Sequence, residues 1–106
     1  ASLPREIEPK WVTQEQHNSV TDSAKAVFRA LDCRGVARVD FLIDSQGTVL
    51  FNEINTIPGS LAHYLWRASK NPLTFTCLLN CMIEEAIYVA SRQKLLTRFD
   101  GKLNVL

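Results

Sequence analysis

Apolar residues recur at helical spacing in two long segments of the chain, one on either side of a region with strand-like alternation. The first segment opens at Thr13–Gln16, which has the spacing of a capping box, and continues to about Leu31. The second runs over about residues 74–94, with Glu84 and Glu85 expected on its solvated side. Both helices carry apolar residues predicted to face the core: Val20, Ala24, Val27, Phe28 and Leu31 in the first, and Phe75, Leu78, Leu79, Met82, Ile83, Ala86, Ile87 and Ala90 in the second.

The two ends of the chain have weaker patterns. Residues 1–12 are predicted to be an extended lead-in, because Pro4 and Pro9 oppose a helix, with room for a short edge strand at Arg5–Glu8. Residues 95–106 mix charge with leucine and include a turn signal at Asp100-Gly101. We therefore predict an α+β domain over 1–94, a β-hairpin packed against two long helices, followed by a tail over 95–106.

The hairpin is predicted at about Val36–Asp44 and Thr48–Asn55, around the polar turn Asp44–Gly47. Strand side chains alternate between the two faces of a sheet. One face of the first strand is entirely apolar and is expected against the helices: Ala37, Val39, Phe41 and Ile43.

The opposite face of the hairpin carries polar residues where a strand built only for packing would have Val or Ile. A two- or four-residue loop places Arg38 near Glu53 and Asp40 near Phe51, with Asn55 on the same face. A three-residue loop would instead split Arg38 and Asp40 from Glu53 and Asn55 across the sheet. The predicted cluster therefore depends on loop length.

Such a cluster suits a magnesium–phosphate site. Carboxylate and amide oxygens are ligands for Mg²⁺, which takes one or two protein carboxylates and completes its shell with water and substrate phosphates. An arginine beside them offers a planar fork of donors to phosphate oxygens. The alternative from spacing alone is an Arg38–Glu53 ion pair on a solvated face, with Asp40 and Asn55 simply exposed.

A Pro-Gly pair follows the second strand directly. Pro58-Gly59 forces a turn, and glycine lets a ligand approach the backbone closely. Ser60 is then expected to cap a short helix over Leu61–Ala68, whose first amides would favour an anion.

Taken in order, Arg38-Val-Asp-Phe41 and Asn52-Glu-Ile-Asn-Thr-Ile-Pro-Gly59 resemble the C-terminal signature of D-alanine–D-alanine ligases, which belong to the ATP-grasp superfamily. The resemblance extends over roughly Pro4 to Ala90 and includes the helix and Cys33-Arg-Gly35 that precede the hairpin. It implies that ATP phosphorylates the carboxylate of one D-alanine and that the amine of a second attacks the acylphosphate. The dipeptide product would enter peptidoglycan.

The resemblance also implies residue roles. Asp40 would bind one Mg²⁺ (or Mn²⁺), Glu53 would bridge two, and Asn55 would hold the second. Arg38 would stabilise the phosphoryl group and the tetrahedral intermediate, with the Gly59 amide in the oxyanion site. ATP would contact Asn52 and Glu53, and the acceptor D-alanine would contact Ser60, Tyr64 and Leu65.

One position departs from the family pattern. Many members have serine followed by leucine starting five residues after the Pro-Gly glycine, where this chain has Tyr64-Leu65. The Leu65 amide remains available to the acceptor carboxylate, and the Tyr64 hydroxyl reaches further than a serine would. D-lactate or another D-amino acid therefore stays open as the acceptor.

The chain has 106 residues, which is one domain's worth, and no glycine-rich loop. By resemblance, a complete enzyme needs N-terminal and central domains and forms a homodimer, so the chain alone is expected to be inactive. Two alternatives stay open: another ATP-grasp carboxylate–amine ligase, and a stand-alone binding module that lost catalysis.

Composition narrows the class of protein. The chain is 46% hydrophobic and 22% charged, as expected of a folded globular domain. A net charge of +1 without basic blocks argues against nucleic-acid binding. No apolar run approaches the length of a membrane span, and no signal peptide is recognised at the start of the sequence. Three cysteines, an odd number without tight metal spacing, favour reduced thiols in a cytoplasmic setting, with Cys77 and Cys81 expected in the core rather than on a metal. His63 is expected on a helix surface, with ligand contact as the alternative.

Overall fold

A computed structural model describes residues 5–103, and side chains as far as residue 96. It confirms the predicted α+β class. The elements are α1 (Gln14–Ala30), β1 (Arg38–Ile43), β2 (Val49–Asn55), a 3₁₀ turn (Gly59–Ala62), α2 (His63–Arg67) and α3 (Phe75–Leu103). The two strands form an antiparallel sheet.

Hydrogen bonds hold the start of α1 in two ways, within its own first turn and to the hairpin. The capping box is confirmed: the Gln16 N–H donates to Thr13 Oγ1 at 3.1 Å, and the Thr13 N–H donates to Gln16 Oε1 at 3.0 Å. The side-chain amide nitrogen of Gln16, Nε2, donates to the Gly47 carbonyl at 2.9 Å. One glutamine therefore caps the helix and ties it to the hairpin turn.

Gly47 is where this junction tolerates substitution least. Its φ is +85°, and an added Cβ would lie 3.3 Å from the Gln16 side-chain nitrogen. Gly47→Ala is expected to lower the free energy of unfolding by about 1–2 kcal/mol, because an L-residue is strained in the left-handed region. Gly59→Ala is the matched control, since its φ is not positive and its Cβ would meet no atom within 4 Å. Urea denaturation should separate the two variants, and equal midpoints would contradict the expected strain.

The apolar core within the described residues is small. Four hydrophobic residues are buried: Cys33, Val36, Ala62 and Leu78. The predicted inward face of α1 is half-buried at Val20, Ala24, Val27 and Phe28. Leu31 is exposed, so the prediction that it packs on the sheet is wrong.

Helix α3 contacts the rest of the fold along one edge of its apolar stripe. Leu78 is 3% exposed and Met82 is half-buried, whereas Ile83 and Ile87 are 57% and 62% exposed. The prediction that the whole stripe is core is therefore wrong for five residues, all exposed: Phe75, Ile83, Ala86, Ile87 and Ala90. Periodicity identifies an apolar face, but it does not identify what packs on that face.

Two further expectations about α3 side chains are corrected. Glu85 is half-buried rather than solvated, and its Oε2 accepts the Gly35 N–H at 2.6 Å, which joins α3 to the loop before β1. Glu84 is exposed as expected. Cys77 and Cys81 are both exposed, contrary to the predicted core packing, and Cys33 is buried.

The chain ends also differ from the predictions. Arg5–Glu8 forms no strand, and residues 1–4 lie outside the described part. Helix α3 passes through Asp100-Gly101 to Leu103, so the predicted turn is wrong; a helix interior tolerates one glycine at a cost of about 1 kcal/mol. Residues 104–106 lie outside the described part, and the domain boundary at 94/95 stays a prediction. Among the helices described, none has the length and apolarity needed to cross a membrane.

Candidate functional site

The hairpin turn is built around Asp44. The Asp44 N–H donates to the Thr48 carbonyl at 3.0 Å, and the Gly47 N–H donates to the Asp44 carbonyl at 3.0 Å, which closes a three-residue loop. Asp44 Oδ1 accepts two further N–H groups, from Gln46 at 2.9 Å and Thr48 at 2.8 Å. Gly47 supplies the positive φ that such a loop requires. This is the loop length expected to separate the polar residues.

A β-bulge reverses that separation. Next to the turn Ile43 pairs with Val49 and Phe41 with Phe51, but beyond the bulge Asp40 pairs with Glu53. Asn52 is the extra residue on β2, and it moves the following side chains to the opposite face. All four predicted polar residues therefore share a face.

The individual pairs differ from those predicted. Arg38 lies opposite Asn55 rather than Glu53, and Asp40 lies opposite Glu53 rather than Phe51. The physical reason is that the three-residue loop and the bulge each shift the pairing by one residue along β2, so the partners beyond the bulge are shifted by two. Opposed residues on paired antiparallel strands lie within about 4.5–5.5 Å at Cβ, so Asp40 and Glu53 leave the sheet from neighbouring positions on one face.

Arg38 holds Asp40 through two parallel hydrogen bonds. Arg38 Nε lies 2.9 Å from Asp40 Oδ1, and its Nη2 lies 3.1 Å from Oδ2. The two side chains are 35% and 36% exposed. The pKa of Arg38 is raised above its ordinary value. The main causes are the hydrogen bond to Asp40 and the negative charge of the Asp40 carboxylate, and Tyr64 and Glu53 make smaller contributions. The guanidinium is therefore permanently charged and pre-oriented on the carboxylate face.

Asn55 is oriented by the turn that follows it. Its Oδ1 accepts the Ile57 N–H at 3.0 Å, which fixes the amide next to the Pro-Gly segment. Glu53 and Asn52 are exposed. Within the described residues no three side chains of the His, Cys, Asp and Glu types form a metal-binding group, so this face offers Asp40 and Glu53 with an amide oxygen. Such a donor set fits Mg²⁺ that completes its shell with phosphate and water.

The segment after Pro58-Gly59 is a left-handed turn rather than the start of a helix. Ser60, Leu61 and Ala62 have φ of 50°, 55° and 50°. Ser60 caps nothing: α2 begins at His63 with Ala62 at its N-cap position and no side-chain cap. Each left-handed L-residue costs roughly 1–2 kcal/mol, and backbone strain of this kind concentrates at functional sites. Nothing in the sequence pattern signalled it.

The predicted acceptor residues lie on and before α2. Tyr64 and Leu65 are exposed, and Tyr64 makes a small contribution to the raised pKa of Arg38. Ser60 is exposed in the left-handed turn. His63 is half-buried, and its ring packs edge-on against Phe75 at 5.2 Å, which anchors α2 to the first turn of α3.

Residues 6–84 match the protein family described as "D-ala D-ala ligase C-terminus". The vancomycin B-type resistance protein VanB of Enterococcus faecalis is 39% identical over 83 residues, covering 76% of this chain and 24% of that protein. A D-alanine–D-alanine ligase of Geobacillus thermodenitrificans is 46% identical over 70 residues, covering 62% of this chain and 19% of the enzyme. A ligase of the same name from Thermosipho africanus is 36% identical over 80 residues, covering 76% and 21%.

The chain thus spans a quarter or less of the length of these curated relatives. No solved structure matches it. The family match covers most of the chain and includes the entire hairpin and the Pro-Gly turn. The chain therefore belongs to the D-alanine–D-alanine ligase C-terminal family, a part of the ATP-grasp fold.

Proposed function

We propose that the chain is the C-terminal part of an ATP- and Mg²⁺-dependent enzyme that joins two D-alanines into D-alanyl-D-alanine for peptidoglycan. One observation carries the proposal: a β-bulge at Asn52 brings Asp40 directly opposite Glu53, on the same hairpin face as Arg38 and Asn55. A surface ion pair alone would need only Arg38 and Asp40. The facing second carboxylate supports a phosphate-bound magnesium ion, which takes one or two protein carboxylates.

The proposed mechanism assigns each residue a task. Asp40, Glu53 and Asn55 would hold Mg²⁺ or Mn²⁺, which supplies charge neutralisation on the phosphates of ATP. Asn52 and Glu53 border the nucleotide. Because a carboxylate has about four lone-pair sites, Asp40 can keep Arg38 while accepting another partner.

Arg38 would turn its fork toward the transferring phosphoryl group, giving up one of its two bonds to Asp40. The Gly59 amide would stabilise the oxyanion that forms when the second D-alanine attacks, and the open space beside Gly59 suits that approach. Ser60, Tyr64 and Leu65 would hold the acceptor carboxylate.

Arg38→Lys tests the fork separately from the fold. Loss of the fork should barely change the free energy of unfolding, because the Arg38–Asp40 pair is partly solvated and exposed ion pairs contribute little to stability. Turnover should fall at least tenfold, because a lysine cannot make the two parallel bonds. Arg34→Lys is the matched control, since its ion pair with Asp32 is more exposed and lies outside the hairpin face. Equal turnover in the two variants would remove Arg38 from the mechanism.

The parent enzyme is proposed to be a cytoplasmic homodimer whose N-terminal and central regions supply the rest of the ATP site. The assay is ATP-dependent phosphate release with D-alanine, comparing the full-length protein with the 106-residue chain. Activity in the longer protein alone supports the proposal. No response to D-alanine in either would redirect the search to other acceptors or to a binding module.

D-lactate is the second candidate acceptor. The observation that favours testing it is Tyr64, which stands where many family members have serine and which helps to raise the pKa of Arg38. Product analysis with D-alanine and D-lactate in competition at two pH values distinguishes dipeptide from depsipeptide synthesis.

A further inference from the structure

Cys77 and Cys81 present two free thiols on the surface of α3, four residues apart. Helix α3 is continuous across both positions, so the two residues lie on neighbouring turns of one face. The Cys77 N–H donates to Thr74 Oγ1 at 3.1 Å, which closes the first turn and fixes the Cys77 backbone. Nothing in the proposed ligase mechanism uses this pair.

The spacing selects what can join the two sulfurs. Residues four apart on a helix have Cβ atoms about 5–6 Å apart, whereas a disulfide requires about 3.5–4.5 Å. A direct S–S bond would therefore require α3 to unwind locally. A single atom bonded to both sulfurs bridges the longer distance while the helix stays intact.

The number of donors selects the ion. Within the part of the chain that the structure describes, no third His, Cys, Asp or Glu completes a metal-binding group with the pair. Structural zinc requires four ligands, so two sulfurs on one helix are insufficient for it. Thiolates favour soft ions, and Cu(I) accepts two-coordinate thiolate ligation.

We propose that Cys77 and Cys81 form a two-thiolate binding site for a soft monovalent cation, with Cu(I) as its chemical type. On binding, each thiol releases its proton to solvent and two S–Cu bonds form. The oxidation state of copper does not change, and the complex carries one negative charge. The proposal is independent of the ligase reaction.

The test is anaerobic Cu(I) competition against a chromophoric chelator, using the full-length protein. The wild-type protein should bind one Cu(I) per chain that the variant Cys77→Ser/Cys81→Ser does not bind. Cys33→Ala should retain this ion, because Cys33 is buried and separate from the pair.

The decisive control keeps the number of thiols and changes their geometry. Cys81→Ser/Ile83→Cys moves the second thiol to an exposed position on another side of α3. Chelation predicts that this variant binds Cu(I) about 100-fold or more weakly than the wild type, since the second bond is no longer intramolecular. Equal affinities would show two independent thiols and overturn the proposal. Formation of a Cys77–Cys81 disulfide with unchanged helix content would overturn the spacing argument.

Discussion

Glu53→Gln in the full-length protein is expected to lower ATP-dependent phosphate release with D-alanine by at least about 100-fold. Removing one preorganised electrostatic group commonly costs 10²–10³ in rate, and Glu53 is proposed to contact both the metal and the nucleotide. Glutamine keeps the size of the side chain and loses its charge. Asp40→Asn should have an effect of similar size, since Asp40 is the residue paired directly opposite.

The matched control is Glu84→Gln, which removes the same charge from an exposed position on α3. It should keep wild-type activity. Thermal unfolding of all variants separates lost chemistry from lost fold, because Glu53 is exposed and its replacement should barely change stability. If Glu53→Gln retains activity within about threefold of wild type, the hairpin face is not the magnesium–phosphate site.

Leu78→Ala is expected to have the largest effect on stability, about 2–5 kcal/mol. Leu78 is the most buried residue of the described core, and truncating a buried leucine loses apolar contact and leaves a cavity. The loss is large relative to the stability of a small domain, so the variant should be largely unfolded at moderate urea concentrations.

Ile87→Ala is the matched control for Leu78→Ala. It removes an aliphatic side chain from the same helix at a position that is 62% exposed, and should change stability by about 0.5 kcal/mol or less. Urea midpoints of the 106-residue chain measure both. Comparable losses in the two variants would mean that a second apolar contact covers Ile87 in solution.

The hairpin was predictable from the sequence, but its register was not. Alternation located both strands and the polar face, and the capping box located the start of α1. The turn at Asp44–Gly47 fits more than one loop length, and neither propensity nor alternation signals a bulge. The pairing of Asp40 with Glu53 is therefore visible only in the structure.

The burial of α3 was predictable only in part. An apolar stripe at helical spacing is visible in the sequence, but the edge that packs inward depends on where the loop before β1 runs. In that loop the Gly35 N–H donates to Glu85, so the side of α3 that carries Glu85 faces the loop and Ile83 stays exposed. The left-handed conformation of Ser60–Ala62 was not predictable for a different reason. Positive φ is expected mainly at glycine, and none of these three residues is glycine.

The alternation of side chains along strand β2 is interrupted at Asn52, so the effect of an insertion or a deletion there depends on how it changes the pairing with β1. On the turn side the aromatic pair Phe41–Phe51 packs edge-on at 6.0 Å, and on the far side Asp40 meets Glu53. Losing Asn52 would join the two halves without changing any cross-strand partner. Gaining one more residue there would also keep Phe51 and Glu53 on opposite faces, but it would leave two residues of β2 unpaired instead of one. Strand pairing alone therefore makes the position more permissive to loss than to gain, whereas the proposed contact of Asn52 with ATP would disappear with the residue.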